Sequence, residues 1–320
     1  MGLRNKYFKV LDHGFISLVD YMGSDNAIED AARVSYGDGT RSTSDTRALL
    51  RYMMNHQHLG PFEQAELKFH IKMPIFVMRQ FIRHRQFSIN ELSMRYSEAP
   101  EEMYQPKEWR KQTKGNKQGS EGTVDSWPED YIPFVSDGLG RVRPTTPVEY
   151  LIDTSRNSHR QDRNVYQERL AFDVSRELAR IDLPLSQYTE FYAKIDLRNL
   201  LHFLKLRLDE HAQWEIRQYA HVIACIVNQL FPLSMEAWLD YVYDAQNFSR
   251  MDLELLLELT GYWAPAYDYE IHELEEMYPH KAELHKKIGM TDRELKEFWE
   301  KLKPKKSLNL DMGKLVEYDM

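Results

Sequence analysis

The sequence predicts an α/β protein of the α+β type, in which a mixed sheet packs against long helices, and three observations lead to this fold class. Residues 65–72 alternate apolar with polar side chains, as a half-buried strand does. Residues 197–230 carry an apolar stripe at helical spacing, with a break near Asp209 that would divide the stripe between two helices. The chain has 320 residues and is 42% hydrophobic, so it can bury a large core.

The other elements follow the same two periodicities. Short apolar runs near Gly14 and Gly23 indicate strand or turn over residues 10–21. Pro74 suits the first turn of a helix, which the spacing of Ile75 and Met78 continues. We also predict helices over residues 26–34, 44–56 and 148–180, and a strand over residues 183–193.

The sequence predicts one catalytic domain over residues 1–250 and a charged, helical C-terminal extension over residues 251–320. Residues from about 105 to 144 are rich in Lys, Gly, Ser and Gln, which predicts a long loop inserted in the catalytic domain. In the extension, Thr291 and Glu294 form a capping-box pattern ahead of Leu295, so a further helix is expected there.

The composition limits the classes of function. No run reaches the roughly 18 apolar residues of a membrane span, and the start of the chain lacks the apolar core of a signal peptide, so we expect a cytoplasmic protein. The net charge of −8 argues against a general nucleic-acid binder. The one cysteine, Cys225, excludes an intramolecular disulfide and any multi-cysteine metal site.

The densest group of basic and polar residues follows the helix that begins near Pro74. Arg83, His84 and Arg85 would close that helix, where cations also simply complement the helix dipole by about 0.3–1 kcal/mol. The polar stretch behind them supplies further donors and acceptors. Guanidinium groups bind phosphate in a bidentate way, and Ser, Asn and Glu can contact a sugar or a base, so a nucleotide fits this inventory. The stretch contains Ser88, Asn90, Glu91, Ser93, Arg95, Tyr96 and Ser97.

A second polar cluster lies along residues 197–230. Arg198 and His202, Arg207 and His211, and His211 and Glu215 are each four residues apart and would share a helix face. For any one pair, isolated surface contacts worth a few tenths of a kcal/mol are the favoured explanation. Their number beside a strongly apolar stripe favours a polar seam in a binding site.

Several motifs together resemble the flavin-dependent thymidylate synthases. Arg83, His84 and Arg85 are followed after seven residues by Ser93, which is the signature of that family. The similarity extends on both sides and covers about three quarters of the chain, from Phe8 to Tyr243. Its other motifs are AARVS, HLGPFE, PIFVMRQ, NELSMRYS and DLRNLLHFLKLRLDEHAQWEIRQYA.

The resemblance implies a homotetramer whose active sites are shared between subunits. It also implies FAD as cofactor, with dUMP, methylenetetrahydrofolate and NADPH as substrates, and reductive methylation of dUMP to dTMP as the reaction. The positions that match FAD-binding residues are His58, Gly60, Arg83, His84, Arg85, Glu91, Asp196, Arg198, His202 and His211. The positions that match dUMP-binding residues are Gln80, Arg83, Glu91, Leu92, Ser93, Met94, Arg95, Arg180 and Arg207.

The resemblance also assigns roles within the reaction. Arg207 matches the arginine that ionises or polarises the uracil ring, where a guanidinium would stabilise growing negative charge. Ser93 is assigned to substrate binding, because no evident base is paired with it to make it a nucleophile. Asp196 stands where many members have Asn, which leaves a direct FAD contact there open.

Two alternatives from other classes remain open at this point. His56, His58, His70 and His84 could serve a metal-dependent nucleotide hydrolase, although His-x-His alone is a weak metal signal and a polar turn explains it equally well. The stretch from Arg83 to Arg85 and the Lys-rich loop could instead bind RNA without catalysis. Flavin absorbance, bound metal or salt-sensitive RNA binding would separate the three hypotheses.

Overall fold

The computed structural model describes most of the chain. It covers residues 2–34, 45–115, 119–129 and 146–256 in full, and the backbone of residues 134–136, 142–144 and 257–260. Towards the C-terminus it describes residues 295, 298–299, 301–302 and 308–318. The predicted capping box of Thr291 and Glu294 lies outside the described residues.

The strands form one large sheet and two hairpins. In chain order they are β1 Tyr7–Val10, β2 Gly14–Met22, β3 Glu66–Pro74, β4 Ser88–Glu91, β5 Arg110–Gln112, β6 Ser120–Thr123, β7 Phe134–Ser136, β8 Val142–Pro144 and β9 Tyr188–Asp196. The large sheet has the order β1-β2-β3-β9-β4, and each of its strand pairings is antiparallel. A parallel contact occurs as an isolated bridge between Arg4 and Leu18. The sequence predicted a mixed sheet, whereas the ladders described here run antiparallel.

Several helices begin next to a residue whose side chain caps them. The helices are α1 Asp25–Arg33, α2 Thr46–Asn55, α3 Ile75–Phe81, α4 Pro147–Ala171, α5 Arg176–Ala179, α6 Leu197–Arg207, α7 Trp214–Leu230, α8 Pro232–Trp238 and α9 Arg250–Thr260. Ser24 caps α1 through the Ala27 amide, and Thr146 with Glu149 forms a capping box at α4. Asp196 ends β9 and caps α6 through the Asn199 amide, so this strand and helix join without an intervening loop.

The core lies between the large sheet and α7, which contacts β1, β2, α3 and α6. Ile216, Tyr219 and Ile223 repeat at helical spacing on α7 and are fully buried. The Tyr219 hydroxyl donates to the Lys72 carbonyl of β3 at 2.8 Å, which fixes the helix against the sheet. β9 alternates buried with more exposed residues, whereas most of β3 is buried on both faces, and Phe69 and Phe191 lie in the core.

Most predicted elements are confirmed, and the differences have local causes. The stripe over 197–230 divides into α6 and α7, as expected. The helix predicted to reach residue 180 is interrupted after Ala171, because Asp173 adopts a positive φ of 58° that an α-helix cannot continue. The strand predicted from 183 begins later, at Tyr188. The stretch predicted as one long loop contains the antiparallel pairs β5–β6 and β7–β8.

The chain forms two compact units, and their boundaries differ from the predicted boundary after residue 250. One consists of Met1–Trp238 with Leu310–Met320, and within it the Lys9 amide donates to the Val316 carbonyl at 2.7 Å. The other is Leu239–Asn309, in which Phe298 and Leu255 form a small core. The assignment of 1–250 as catalytic and 251–320 as an extension stays a prediction. In the part of the chain that the structure describes, no helix is long and apolar enough to span a membrane.

Candidate active site

The turn that follows α3 carries the Arg-His-Arg triplet. Phe81 and Phe87 are buried and place their rings 5.1 and 5.4 Å from the ring of Phe203 on α6, which anchors both ends of the turn. Between these anchors His84 points inward and is buried, whereas Arg83 and Arg85 are exposed. Neither exposed guanidinium has a hydrogen bond or ion pair to any described residue, so both are available to an anionic ligand.

His84 lies against the arginine at the end of α6. Arg207 Nε donates to His84 Nε2 at 2.9 Å, and Arg207 Nη2 donates to the Gln80 carbonyl at 3.4 Å. Burial lowers the pKa of His84 to about 4, and the nearby charges of Arg207 and His202 contribute to this lowering. The imidazole is therefore neutral at pH 7 and can accept this bond. Gln80, Arg83, His84, Arg85 and Arg207 are called the Arg207 group below.

A second group lies at the start of α6. Asp196 Oδ2 accepts from Asn199 Nδ2 at 2.7 Å, in addition to capping the helix. Arg198 pairs with Glu63 in the short 3-10 helix Gly60–Gln64, which brings the HLGPFE motif to this helix end. His202 is exposed one turn further along α6, towards His84. A side chain at Gly60 would meet no atom within 4 Å, so the surface here is open.

A third group follows β4. The Glu91 carboxylate accepts from the Thr189 hydroxyl at 2.6 Å, and the Leu92 amide donates to the Glu190 carbonyl at 2.8 Å. The Ser93 carbonyl accepts from the amides of the next turn, and Met94 is buried beside Ala179. This group is called the Ser93 group below, and its members are Glu91, Leu92, Ser93, Met94, Arg95 and Arg180.

Packing of Met94 brings the two ends of the Ser93 group together. Arg180 directly follows Ala179, whose side chain belongs to the same buried cluster as Met94. Arg95 Nε lies 3.8 Å from Glu177 Oε2 on α5, which links the same two segments. Within the described residues, no recorded hydrogen bond or ion pair joins the Ser93 group to the Arg207 group.

Comparison with known proteins identifies the family. A sequence profile described as thymidylate synthase complementing protein matches residues 17–233. The flavin-dependent thymidylate synthase of Wolbachia pipientis is 47% identical over 253 residues, which cover 78% of this chain and 82% of that protein. This chain belongs to the flavin-dependent thymidylate synthases. The synthase from Thermus thermophilus is 47% identical over 247 residues, covering 77% of this chain and 83% of its own length.

A solved structure supports the fold of this flavin-dependent thymidylate synthase. It is the crystal structure of a UMP/dUMP methylase, PolB from Streptomyces cacaoi, bound with 5-Br dUMP. The two chains are 30% identical with a TM-score of 0.59, and the match covers 73% of this chain and 97% of that one. The predicted family and the α/β fold class are thereby confirmed.

The polar seam predicted along residues 197–230 is only partly formed. Arg198 and His202 do share a face of α6. Because α6 ends at Arg207 and α7 begins at Trp214, however, His211 lies in the connection, where it is exposed and bonds to Asp209. His211 therefore shares no helix face with Arg207 or Glu215. Its predicted contact with FAD stays a prediction.

The family assignment does not rest on a metal site. Among the described residues, no group of three His, Cys, Asp or Glu side chains is placed to hold a metal ion. His70 bonds to Glu190 at 2.6 Å and stacks on Tyr192, whereas His84 accepts from Arg207. His56 and His58 lie together, with ring centroids 6.2 Å apart, whereas His70 and His84 make separate contacts.

A cavity of about 530 Å³ lies elsewhere, between β1, α7 and the segment that ends with Val316. None of the predicted FAD or dUMP residues lines it. Most of the predicted site residues are instead exposed.

Near the Arg207 group, Gln213 escaped the sequence analysis, and Glu215 was considered there only as a member of the polar seam. Gln80 Nε2 donates to Gln213 Oε1, and Gln213 Nε2 donates to Glu215 Oε2 at 2.9 Å. Glu215 is almost fully buried, which is unusual for a carboxylate. In the sequence, the available signal was an acidic residue directly after the AQW run.

Proposed function

We propose that this chain catalyses the reductive methylation of dUMP to dTMP, with FAD as cofactor, methylenetetrahydrofolate as carbon donor and NADPH as reductant. The observation that carries the proposal is the bond between neutral His84 and Arg207, set beside the exposed, unpaired Arg83 and Arg85. This arrangement combines anion binding with a preorganised cation, inside the region that matches the family.

The exposed groups fit an anionic dinucleotide such as FAD. Arg83 and Arg85 offer free guanidinium forks for phosphate oxygens, and the open surface at Gly60 leaves room beside Arg198 and His202. When bound, FAD supplies the hydride that the methylation requires. The protein residues hold the ligands, exclude water and place charge.

Arg207 is the residue that activates the uracil ring in this proposal. His84 and the Gln80 carbonyl occupy Nε and Nη2, whereas no described residue takes a hydrogen bond from Nη1. These two acceptors hold the guanidinium plane in place. Its charge then stabilises the negative charge that develops on the pyrimidine as C5 becomes nucleophilic.

The complete site takes residues from more than one subunit of a homotetramer. One chain presents the Arg207 group and another presents the Ser93 group, whose Ser93, Arg95 and Arg180 are suited to the nucleotide phosphate. The absence of a recorded contact between the groups in the described part of one chain supports this arrangement. The folate enters the same shared site in the proposal.

Absorbance and turnover test the proposed function. The purified protein should show flavin absorbance that NADPH bleaches, and it should form dTMP from dUMP and methylenetetrahydrofolate. Arg83→Ala should weaken binding of FAD or dUMP about tenfold or more while the protein stays folded, because a charge-assisted phosphate contact is lost. Arg160→Ala, at an exposed arginine on α4, is the matched control. A protein without flavin and without dTMP formation would contradict the proposal.

A further inference from the structure

We propose that Glu215 and Gln213 are positioning residues that orient the Gln80 side-chain amide, so that Gln80 presents a hydrogen-bond acceptor to the nucleotide. The inference rests on the proposed function. Glu215 is only 2% exposed, although its carboxylate carries a charge. Burial of an unpaired carboxylate is costly, so its surroundings have to supply donors.

Three donors hold Glu215 in one place, two from residues 104–110 and one from the neighbouring Gln213. Arg110 Nη2 lies 2.7 and 2.9 Å from its two oxygens, and the Tyr104 hydroxyl donates to Oε1 at 3.1 Å. Gln213 Nε2 donates to Oε2 at 2.9 Å. The carboxylate is therefore fixed between the start of α7 and β5, and it has little freedom to follow its partners.

The polarity of these groups dictates the direction of the chain of bonds. A carboxylate only accepts, so Gln213 must turn its NH2 towards Glu215 and its carbonyl away. That carbonyl can then only accept, and Gln80 turns its own NH2 towards it. The Gln80 side-chain oxygen, Oε1, is left over, and within the described residues it has no hydrogen-bond partner. Gln80 thus faces the ligand as an acceptor.

An acceptor at this position has a matching group on the substrate. The uracil ring carries one N–H, at N3, whereas the cytosine ring of dCMP carries an unprotonated nitrogen there. If the Gln80 amide could rotate freely, it would offer its NH2 to cytosine as readily as its oxygen to uracil. Fixed by Gln213 and Glu215, it favours dUMP over dCMP, and these residues thereby determine specificity.

A double-mutant cycle on the FAD-loaded protein tests this inference. Gln213→Met keeps the side-chain length but removes both hydrogen-bonding groups, and Gln80→Met removes the group on which Gln213 acts. Gln213→Met should weaken dUMP binding about three- to tenfold, the range of one hydrogen bond. In the Gln80→Met background the same change should have little further effect, because the two substitutions remove the same interaction. Gln229→Met, an exposed glutamine on α7, is the matched control.

Selectivity supplies a readout that a purely structural role would not change. The ratio of dCMP to dUMP dissociation constants should fall in Gln213→Met and in Glu215→Gln, and stay at the wild-type value in Gln229→Met. Melting temperatures identify any variant that fails to fold. If Glu215→Gln fails to fold, Gln213→Met alone is a sufficient test. Additive losses, or an unchanged ratio in folded Gln213→Met, would overturn the inference. Wild-type protein that forms no dTMP would instead contradict the proposed function.

Discussion

At the scale of the residue, the site depends on which groups carry a proton. His84 is buried against Phe203, 4.8 Å between ring centroids, and faces the positive charge of Arg207. Both features penalise the imidazolium, so His84 is neutral and accepts a hydrogen bond from the guanidinium. A neutral acceptor orients Arg207 without neutralising it, and the arginine keeps its full charge for the substrate.

The pH dependence of stability should report this proton. The unfolded state protonates His84 near pH 6.5 and the folded state only near pH 4, so the unfolded state binds more protons between these values. The free energy of unfolding therefore falls as the pH falls from 6.5 to 4, by about 3 kcal/mol from this residue. His84→Gln keeps an acceptor but does not titrate, so its urea-unfolding profile should be flatter in that window. Equal slopes for both proteins would contradict a neutral, buried His84.

Arg207 gives a prediction about turnover. Arg207→Lys keeps the charge but loses the planar fork that donates to both His84 and the Gln80 carbonyl. The orientation of the charge matters most in the transition state, so kcat should fall about 100-fold while the Kd for FAD changes little. Steady-state kinetics and flavin titration check the two quantities separately. Wild-type turnover in this variant would show that Arg207 does not activate the ring.

At the scale of the element, the sequence predicted regular, amphipathic segments well and short polar ones poorly. α6 and α7 follow from their apolar stripe and from the polar connection near Asp209. The strand β4 was not predicted, because its four residues Ser88–Glu91 are mostly exposed and show no alternation, and its pairing with β9 defines it. Short edge strands depend on a partner that is distant in sequence.

The environment of α7 predicts that Cys225 takes no part in the chemistry. The thiol is fully buried on this helix, and burial raises its pKa to about 11, so it is protonated at pH 7. A thiol in this state is a poor nucleophile for C6 of uracil. Cys225→Ala should form dTMP at a near-normal rate and lose only about 1 kcal/mol of unfolding free energy. Loss of turnover in the folded, FAD-loaded variant would require a cysteine mechanism and would falsify the proposed mechanism.

At the scale of the whole molecule, the sequence predicted the site residues by motif but not their grouping. The RHR signature places Arg83 and Ser93 only ten residues apart, yet the first faces outward from the turn after α3 and the second follows the edge strand β4. Burial of His84 and Met94 anchors the two groups to separate parts of the core. Sequence proximity does not reveal this separation, because it results from tertiary packing.

The proposed sharing of the site between subunits predicts that mixed oligomers recover activity that neither variant has alone. Arg207→Ala disables the Arg207 group and Arg95→Ala disables the Ser93 group, so each variant should be strongly impaired on its own. When the two variants are co-expressed with different tags and the hybrids are isolated, sites that draw the intact group from each kind of subunit should form dTMP at a substantial fraction of the wild-type rate.

The control hybrid combines Arg207→Ala with Arg207→Lys, two impairing changes in the same group. Every site in that hybrid then carries a defect in its Arg207 group, whichever chains build it, so no recovery is expected. Recovery in the first hybrid and none in the control would identify two groups on different subunits. If the first hybrid is as inactive as its parents, while mass measurement shows that mixed tetramers have formed, one chain must supply both groups and the shared site has to be abandoned.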